Sequence, residues 1–224
     1  MTLSPLGDSA IVATLGSGLD ESALLRVRAL AAAIGHSRLP GVVDVVPAFT
    51  TVTIFYDPTR VGEYARLCGE IENLAARADA SLVSQGTHAV EIPVCYGGEF
   101  GPDLAAVAAH GGLTTEKAVA LHAGASYLVH AVGFAPGFGY LGGLPEKLHT
   151  PRRATPRTSV PAGAVGIGGA QTGVYPLATP GGWNLIGRTP LRLFDAARAE
   201  PALLSTGDRV KFRAITPEEF AAWK

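Results

Sequence analysis

Cysteine is nearly absent. The chain has only Cys68 and Cys95, too few for a disulfide framework, and neither belongs to a CxxC pair that would bind zinc or carry redox chemistry. Both read as buried thiols. Charge is scarce as well: Asp, Glu, Lys and Arg make up 17% of the chain, and 18 cations against 19 anions leave a formal net charge of -1. No overall field therefore gathers nucleic acid or an anionic membrane, and both are excluded as partners. No apolar run approaches the roughly 20 residues that span a bilayer. Met1-Thr2-Leu3-Ser4-Pro5 lacks a basic head leading into an apolar core, so a cytoplasmic location is expected.

Several catalytic motifs are missing too. There is no GxSxG elbow, no HExxH and no GxxxxGK(S/T) loop, so an acyl-enzyme, a catalytic zinc and a phosphate-cradling loop have no local support, and no metal is expected. Gly166-Ile167-Gly168-Gly169-Ala170-Gln171 places Gln171 where a dinucleotide fingerprint needs its last glycine.

What is present suits a folded enzyme-sized chain. A hydrophobic fraction of 47% in 224 residues is enough for a buried core, and the length suggests two domains. Asp8 to Leu15 carries a strand-like run, and Asp20-Glu21-Ser22 opens a stretch with helical spacing. Val42 to Val46 and Thr50 to Tyr56 read as strands, separated by Pro47-Ala48-Phe49, and a second helix is expected near Val61 to Ala80. The pattern is β-α-β-β-α, an α+β domain with its helices on one sheet face.

Composition shifts after Ser84-Gln85-Gly86, which places the domain boundary between residues 1–86 and 87–224. Beyond a strand at His88 to Tyr96, Asp103 and Thr114 are expected to cap two helices, the second stopped by Gly124. From Ser126 onward short apolar runs alternate with Gly and Pro, which argues for a mainly β barrel or closed sandwich.

Gly133 to Arg188 spans 56 residues yet holds 13 of the 28 glycines and 7 of the 16 prolines. That mixture specifies rigid irregular backbone. Phe134, Phe138, Tyr140, Tyr175 and Trp183 are interleaved through it, too much apolar area for a solvated linker. Tight barrel corners would account for the glycines equally well. The polar side chains in the same stretch, Arg152, Arg153, Arg157, Thr158, Ser159, Gln171, Thr172, Asn184 and Arg188, suit a carboxylate or phosphate ligand, because planar guanidinium forks held on rigid loops lose little entropy on binding.

GFAPGFGYLGGLPEKL (Gly133 to Leu148), the TPRRATPRT block from Thr150, QTGVYP, PGGWNLIGRTP and the earlier IPVCYGGEFGPDL (Ile92 to Leu104) resemble the signature blocks of the 5-oxoprolinase B-subunit family, also called the allophanate hydrolase subunit 1 or KipI family. Weaker matches at Gly7-Asp8-Ser9 and Tyr56-Asp57-Pro58 extend the resemblance over nearly the whole chain. One departure is Ala164, where a serine is expected.

The resemblance implies an α+β N-terminal domain and a cyclophilin-like β-barrel C-terminal domain. It implies partner chains, the C subunit (allophanate hydrolase subunit 2-like) and the A subunit of 5-oxoprolinase. Together they open 5-oxoproline to glutamate with ATP, the nucleotide being bound by or shared with those partners. Two other functions stay open: a KipI-type inhibitor of a sensor histidine kinase, and a carboxyltransferase or allophanate-hydrolase-like member of urea metabolism. Arg157 and Arg188 are expected to hold carboxylate or phosphoryl charge, with Gln171 and Thr172 donating hydrogen bonds. Phe138, Tyr140, Tyr175 and Trp183 are expected to line the substrate pocket. His122, near the end of the second helix of this domain, is a candidate proton carrier whose charged form the helix dipole would favour; a packed histidine is the alternative.

Overall fold

The computed structural model describes residues 1–18, 21–79 and 88–223. The Asp20 start of the first helix, the Ala80 end of the second and the Ser84-Gln85-Gly86 break lie outside these residues. The chain forms two compact units, Met1–Thr87 and His88–Lys224.

The first unit is an antiparallel sheet backed by two helices. Strands β1 (Thr2–Leu6), β2 (Ala10–Thr14), β3 (Val42–Ala48) and β4 (Thr51–Tyr56) pair in the order β1-β2-β4-β3. Helices α1 (Glu21–Ser37) and α2 (Tyr64–Arg77) supply the remaining core. Alternation along β2 and β4 turns Ile11, Ala13, Val52 and Ile54 inward, where they meet Val27, Leu30, Ile34, Leu67 and Ile71. Strand β1 is absent from the sequence reading because it is short, almost wholly exposed and contains Pro5, a residue that sheets tolerate at their margins. Pro47, read as a break, instead lies within β3 opposite Val52, and the hairpin turns at Phe49, whose φ is 53°.

The second unit is a closed, mixed barrel of seven strands: β5 (Ala89–Tyr96), β6 (Ser126–Val132), β7 (Gly139–Gly142), β9 (Ala164–Gly168), β10 (Gln171–Val174), β12 (Asn184–Arg188) and β13 (Arg209–Ile215). Their order is β6-β13-β5-β12-β9-β10-β7, and β7 closes the ring by pairing with β6. Only β13 and β5 run parallel among these pairs. Closure removes free sheet edges and leaves an interior that side chains fill: Ile92, Val94, Tyr127, Val129, Leu141, Val165, Ile167, Val210 and Phe212 are buried there. Helices α3 (Leu104–His110) and α4 (Thr115–Gly124) add Leu104, Val107 and Ala118 to the same core. A two-stranded sheet of β8 (Arg157–Val160) and β11 (Thr179–Gly181) forms separately from the ring. The C-terminal helix α5 (Pro217–Ala222) is held by a capping box between Thr216 and Glu219.

Thr114 caps α4 as expected, accepting from the Lys117 N–H, and α4 ends at Gly124. Asp103 does not cap α3: its side chain makes no bond to that helix. No helix among the described residues is long and apolar enough to cross a membrane. Cys95 is buried and Cys68 only half-buried, both as free thiols.

Candidate functional site

A second, smaller core lies apart from the barrel interior. Phe138, Val160, Ala164, Tyr175, Trp183 and Leu185 are buried together, with Tyr140 packed against them. The rings meet edge to face, with centroids 4.9 Å apart for Phe138 and Tyr140, 5.2 Å for Phe138 and Tyr175 and 5.4 Å for Phe138 and Trp183. This is a favoured geometry for aromatic quadrupoles. Small residues make room for it: a Cβ on Gly168 would lie 2.7 Å from the Trp183 ring, and one on Gly173 would lie 3.1 Å from Phe138.

These aromatics wall a pocket of about 190 Å³, lined also by Phe134, Arg152, Arg153, Pro156, Pro180, Gly181 and Gly182. The arginines come from the loop between the 3₁₀ turn Glu146–Leu148 and β8, and that loop is pinned along its length. Thr150 bridges to Gly169. Asn184 Nδ2 donates to the Pro151 carbonyl at 2.8 Å, and the Arg153 N–H donates to the Gly182 carbonyl at 2.8 Å.

Asp103 completes the arrangement. Its Oδ1 accepts from Arg153 Nη1 at 3.1 Å and from Arg157 Nη2 at 2.8 Å, while its Oδ2 accepts the Leu185 N–H at 2.7 Å. Asp103 is 7% exposed, and bonds between ionised groups in such surroundings hold their geometry strongly. Arg152 sits with its guanidinium carbon 5.9 Å from the Trp183 ring centroid, within cation–π range. Burial raises the Tyr175 phenol pKa, while a hydrogen bond with the Trp183 backbone and, less strongly, the charges of Arg152 and Arg157 oppose that rise.

Two donors nearby have no acceptor among the described residues: Arg157 Nη1 and Gln171 Nε2, both buried at the atom. Leaving such a group unpaired costs roughly 1–3 kcal/mol, a cost that a bound oxygen would remove. Gln171 pairs with Gly168 across β10 and β9, so both project from the face against which Trp183 packs.

The structure thus divides the nine side chains expected from sequence. Phe138, Tyr140, Tyr175 and Trp183 line the pocket, whereas Arg157 and Gln171 are not among its lining residues; Arg157 is held by Asp103. Arg188 goes elsewhere, lining a different groove and donating from Nε to the Ala162 carbonyl at 3.0 Å. His122 and Thr172 point into the barrel, 1% and 0% exposed. Thr172 Oγ1 donates to the Gly166 carbonyl at 2.9 Å, so it accepts from His122 Nε2 at 3.0 Å. His122 Nδ1 then accepts from the Tyr96 hydroxyl at 2.8 Å. The expectation that the helix dipole favours charged His122 is corrected: burial pushes its pKa down to about 3, because desolvation in a packed core outweighs a dipole interaction of about 0.3–2 kcal/mol.

Asp103 is the residue that sequence reasoning misreads. An aspartate one position before a helix has the signature of an N-cap, and nothing local reveals arginines 50 and 54 positions away. Arg152 and Arg153 belong to the polar set of the segment, but no local signal separates them from its other members.

The carboxyltransferase domain family, subdomains C and D, matches residues 1–204. The B subunit of 5-oxoprolinase from Bacillus subtilis (strain 168) is 44% identical, over 99% of this chain and 96% of its own length. That of Escherichia coli O157:H7 is 48% identical, over 92% and 93%. The crystal structure of TTHA0988 matches 92% of this chain with a TM-score of 0.81 at 40% identity, and this chain spans 40% of that longer one. The urea amidolyase of K. lactis shares the fold at 19% identity, with a TM-score of 0.78 over 98% of this chain and 15% of its own. By its near full-length identity to these relatives and its match to the carboxyltransferase C and D subdomains, the chain belongs to the 5-oxoprolinase B-subunit family.

Proposed function

We propose that this chain is the B subunit of an ATP-dependent 5-oxoprolinase, which opens 5-oxo-L-proline to L-glutamate together with separate A and C subunits. The observation that carries this reading is the pocket of about 190 Å³ in which an aromatic wall faces the Arg152 and Arg153 side chains. A five-membered lactam bearing one carboxylate needs a small apolar enclosure for its ring and a cation for its acid group. Both are supplied here by residues whose positions are over-determined.

Opening the ring adds water across the C5–N amide bond, giving the γ-carboxylate and the α-amine of glutamate. In that reaction Arg152 and Arg153 orient the substrate carboxylate, and Phe138, Tyr140, Tyr175 and Trp183 exclude bulk water. Arg157 acts here through Asp103, which it shares with Arg153, and so helps to position the arginine that meets the substrate. The pocket is smaller than the roughly 300–1,000 Å³ of sites for drug-sized ligands, and no phosphate-cradling glycine loop accompanies it. The nucleotide is therefore assigned to the partner chains. His122 contributes no proton transfer in this reading, since it stays neutral and sealed from the pocket.

Co-expression with the A and C subunits, followed by ATP-dependent release of glutamate from 5-oxoproline with each chain omitted in turn, tests the assignment. Arg153→Ala in the assembled enzyme is expected to raise KM about 10-fold to 100-fold, the worth of one charge-assisted hydrogen bond. Turnover that persists without this chain would remove the reading. A carboxyltransferase role, favoured by the family match over residues 1–204, would show instead as carboxyl transfer that depends on a biotin carrier.

A further inference from the structure

Two guanidinium groups line the aromatic pocket, those of Arg152 and Arg153, and no carboxylate lines it with them. Behind the lining, Asp103 is one anion shared by two cations, Arg153 at 3.1 Å and Arg157 at 2.8 Å. Three arginines therefore gather here against a single aspartate. Arg152 is the one left out of the ion pairs. It makes no hydrogen bond or ion pair among the described residues, and its guanidinium carbon rests 5.9 Å from the Trp183 ring centroid.

The two lining arginines are held differently. Arg153 is fixed by its Nη1 bond to Asp103 and by its backbone N–H bond to the Gly182 carbonyl. Arg152 is steadied at the backbone, where Asn184 takes the preceding Pro151 carbonyl, while its exposed side chain meets only an aromatic face. A cation–π contact at an exposed site is weaker than a charge-assisted pair with a carboxylate, so an incoming acid group displaces it. The carboxylate of 5-oxoproline compensates one of these arginines and leaves the other beside an apolar wall. A guanidinium in such surroundings gains more from a second anion than it would in open water.

We propose that this pocket is a dicarboxylate site. It prefers short linear dicarboxylates, with one acid group on Arg152, the other on Arg153 and the methylene chain against Phe138 and Trp183, over monocarboxylates of the same length. The proposal rests on the oxoprolinase reading above for its consequence. Ring opening turns a substrate with one carboxylate into a product with two, so the pocket holds product-like acids and these compete with the substrate. The ammonium of the product adds a positive charge among the arginines, so the same carbon chain without the amine binds more tightly, and glutarate is the probe.

The test is isothermal titration calorimetry of the full chain with glutarate, L-glutamate and pentanoate, which has the chain length of glutarate and one acid group. Glutarate is expected to bind about tenfold more tightly than pentanoate, the worth of one charge-assisted hydrogen bond, with L-glutamate between them. Arg152→Gln should abolish most of that preference, and Arg152→Lys, which keeps the charge, should retain most of it. Arg188→Gln, in a groove that shares no residue with this pocket, should leave it unchanged. Glutarate that binds no better than pentanoate, or not at all, would overturn the proposal, as would a preference that survives Arg152→Gln or disappears in Arg188→Gln. In the assembled enzyme glutarate should raise the KM for 5-oxoproline without changing kcat; a lower kcat at unchanged KM would put the dicarboxylate at another site and overturn the proposal too. The two readings fail separately. An assembly that releases no glutamate from 5-oxoproline removes the oxoprolinase reading, while calorimetry on this chain still decides the dicarboxylate preference.

Discussion

The guanidinium of Arg157 and the carboxylate of Asp103 meet at 2.8 Å across 54 residues of sequence. The same carboxylate holds Arg153 and the Leu185 amide, so one buried anion ties the arginine loop to α3 and β12. Replacing it by an amide of the same shape removes the charge that two arginines share. Asp103→Asn is expected to cost about 3 kcal/mol in urea denaturation, toward the lower end for a broken buried pair because Arg153 is partly solvated. It should also raise KM for 5-oxoproline more than it lowers kcat, as a loosened positioning residue does.

Phe134 adopts a left-handed backbone with φ of 72° and is 63% exposed, while its ring meets Phe138 and Tyr175 edge to face at the mouth of the pocket. A non-glycine residue held there carries about 1–3 kcal/mol of strain. Phe134→Gly removes that strain and the pocket's outer wall together. Thermal unfolding should show equal or higher Tm, and the assembled enzyme should show a severalfold higher KM. A variant with lower Tm and unchanged KM would mean that the ring serves only packing.

Acid should destabilise the fold through His122. Its folded pKa lies near 3 against an ordinary 6.5, so as pH falls below 6.5 the unfolded chain takes up a proton that the native state refuses. The associated stability is complete above pH 6.5 and is lost between pH 6.5 and about 3, at up to about 1.4 kcal/mol per pH unit. Chemical denaturation at a series of pH values from neutral down to acid measures the slope, and His122→Gln should flatten it. An NMR titration showing the ring protonating near its ordinary pKa would contradict the burial argument directly.

Gly168 marks where backbone must clear an aromatic ring. A methyl group there would stand 2.7 Å from Trp183, closer than real Cβ contacts, so Gly168→Ala must displace the indole. Because Arg152 lies over that ring, the displacement should reach the ligand. Binding is expected to weaken about tenfold, read by calorimetry of 5-oxoproline on the assembled enzyme, with quenched or shifted tryptophan fluorescence as an independent sign. Gly169→Ala, with open space around it, controls for glycine loss alone, although its φ of 67° costs some stability.

The order of elements was legible because hydrophobic period is a local property. Ile11 and Ala13, or Val52 and Ile54, alternate in sequence as they do in space, and Thr114 caps α4 through a partner three residues away. Strand β1 escaped for the same reason, since an exposed edge with Pro5 carries no periodic signal. The aromatic wall could also be read, because Phe138, Tyr140, Tyr175 and Trp183 stand out as apolar mass in a stretch dense with glycine and proline.

The sequence by itself determined the two-part organisation, the mainly β character of the second part, the pocket-forming segment and its family. Which arginine does what was left to the tertiary structure. Arg153, Arg157 and Arg188 are chemically identical, and their surroundings differ only by what barrel closure brings to each: Asp103 to the first two, a separate groove and the Ala162 carbonyl to the third. Likewise the chain shows a histidine at a helix end, but only the closed barrel surrounds it with Tyr96, Thr172 and Phe212 and so decides that it stays neutral. Burial and charge compensation are set by neighbours distant in sequence, and no local pattern encodes them.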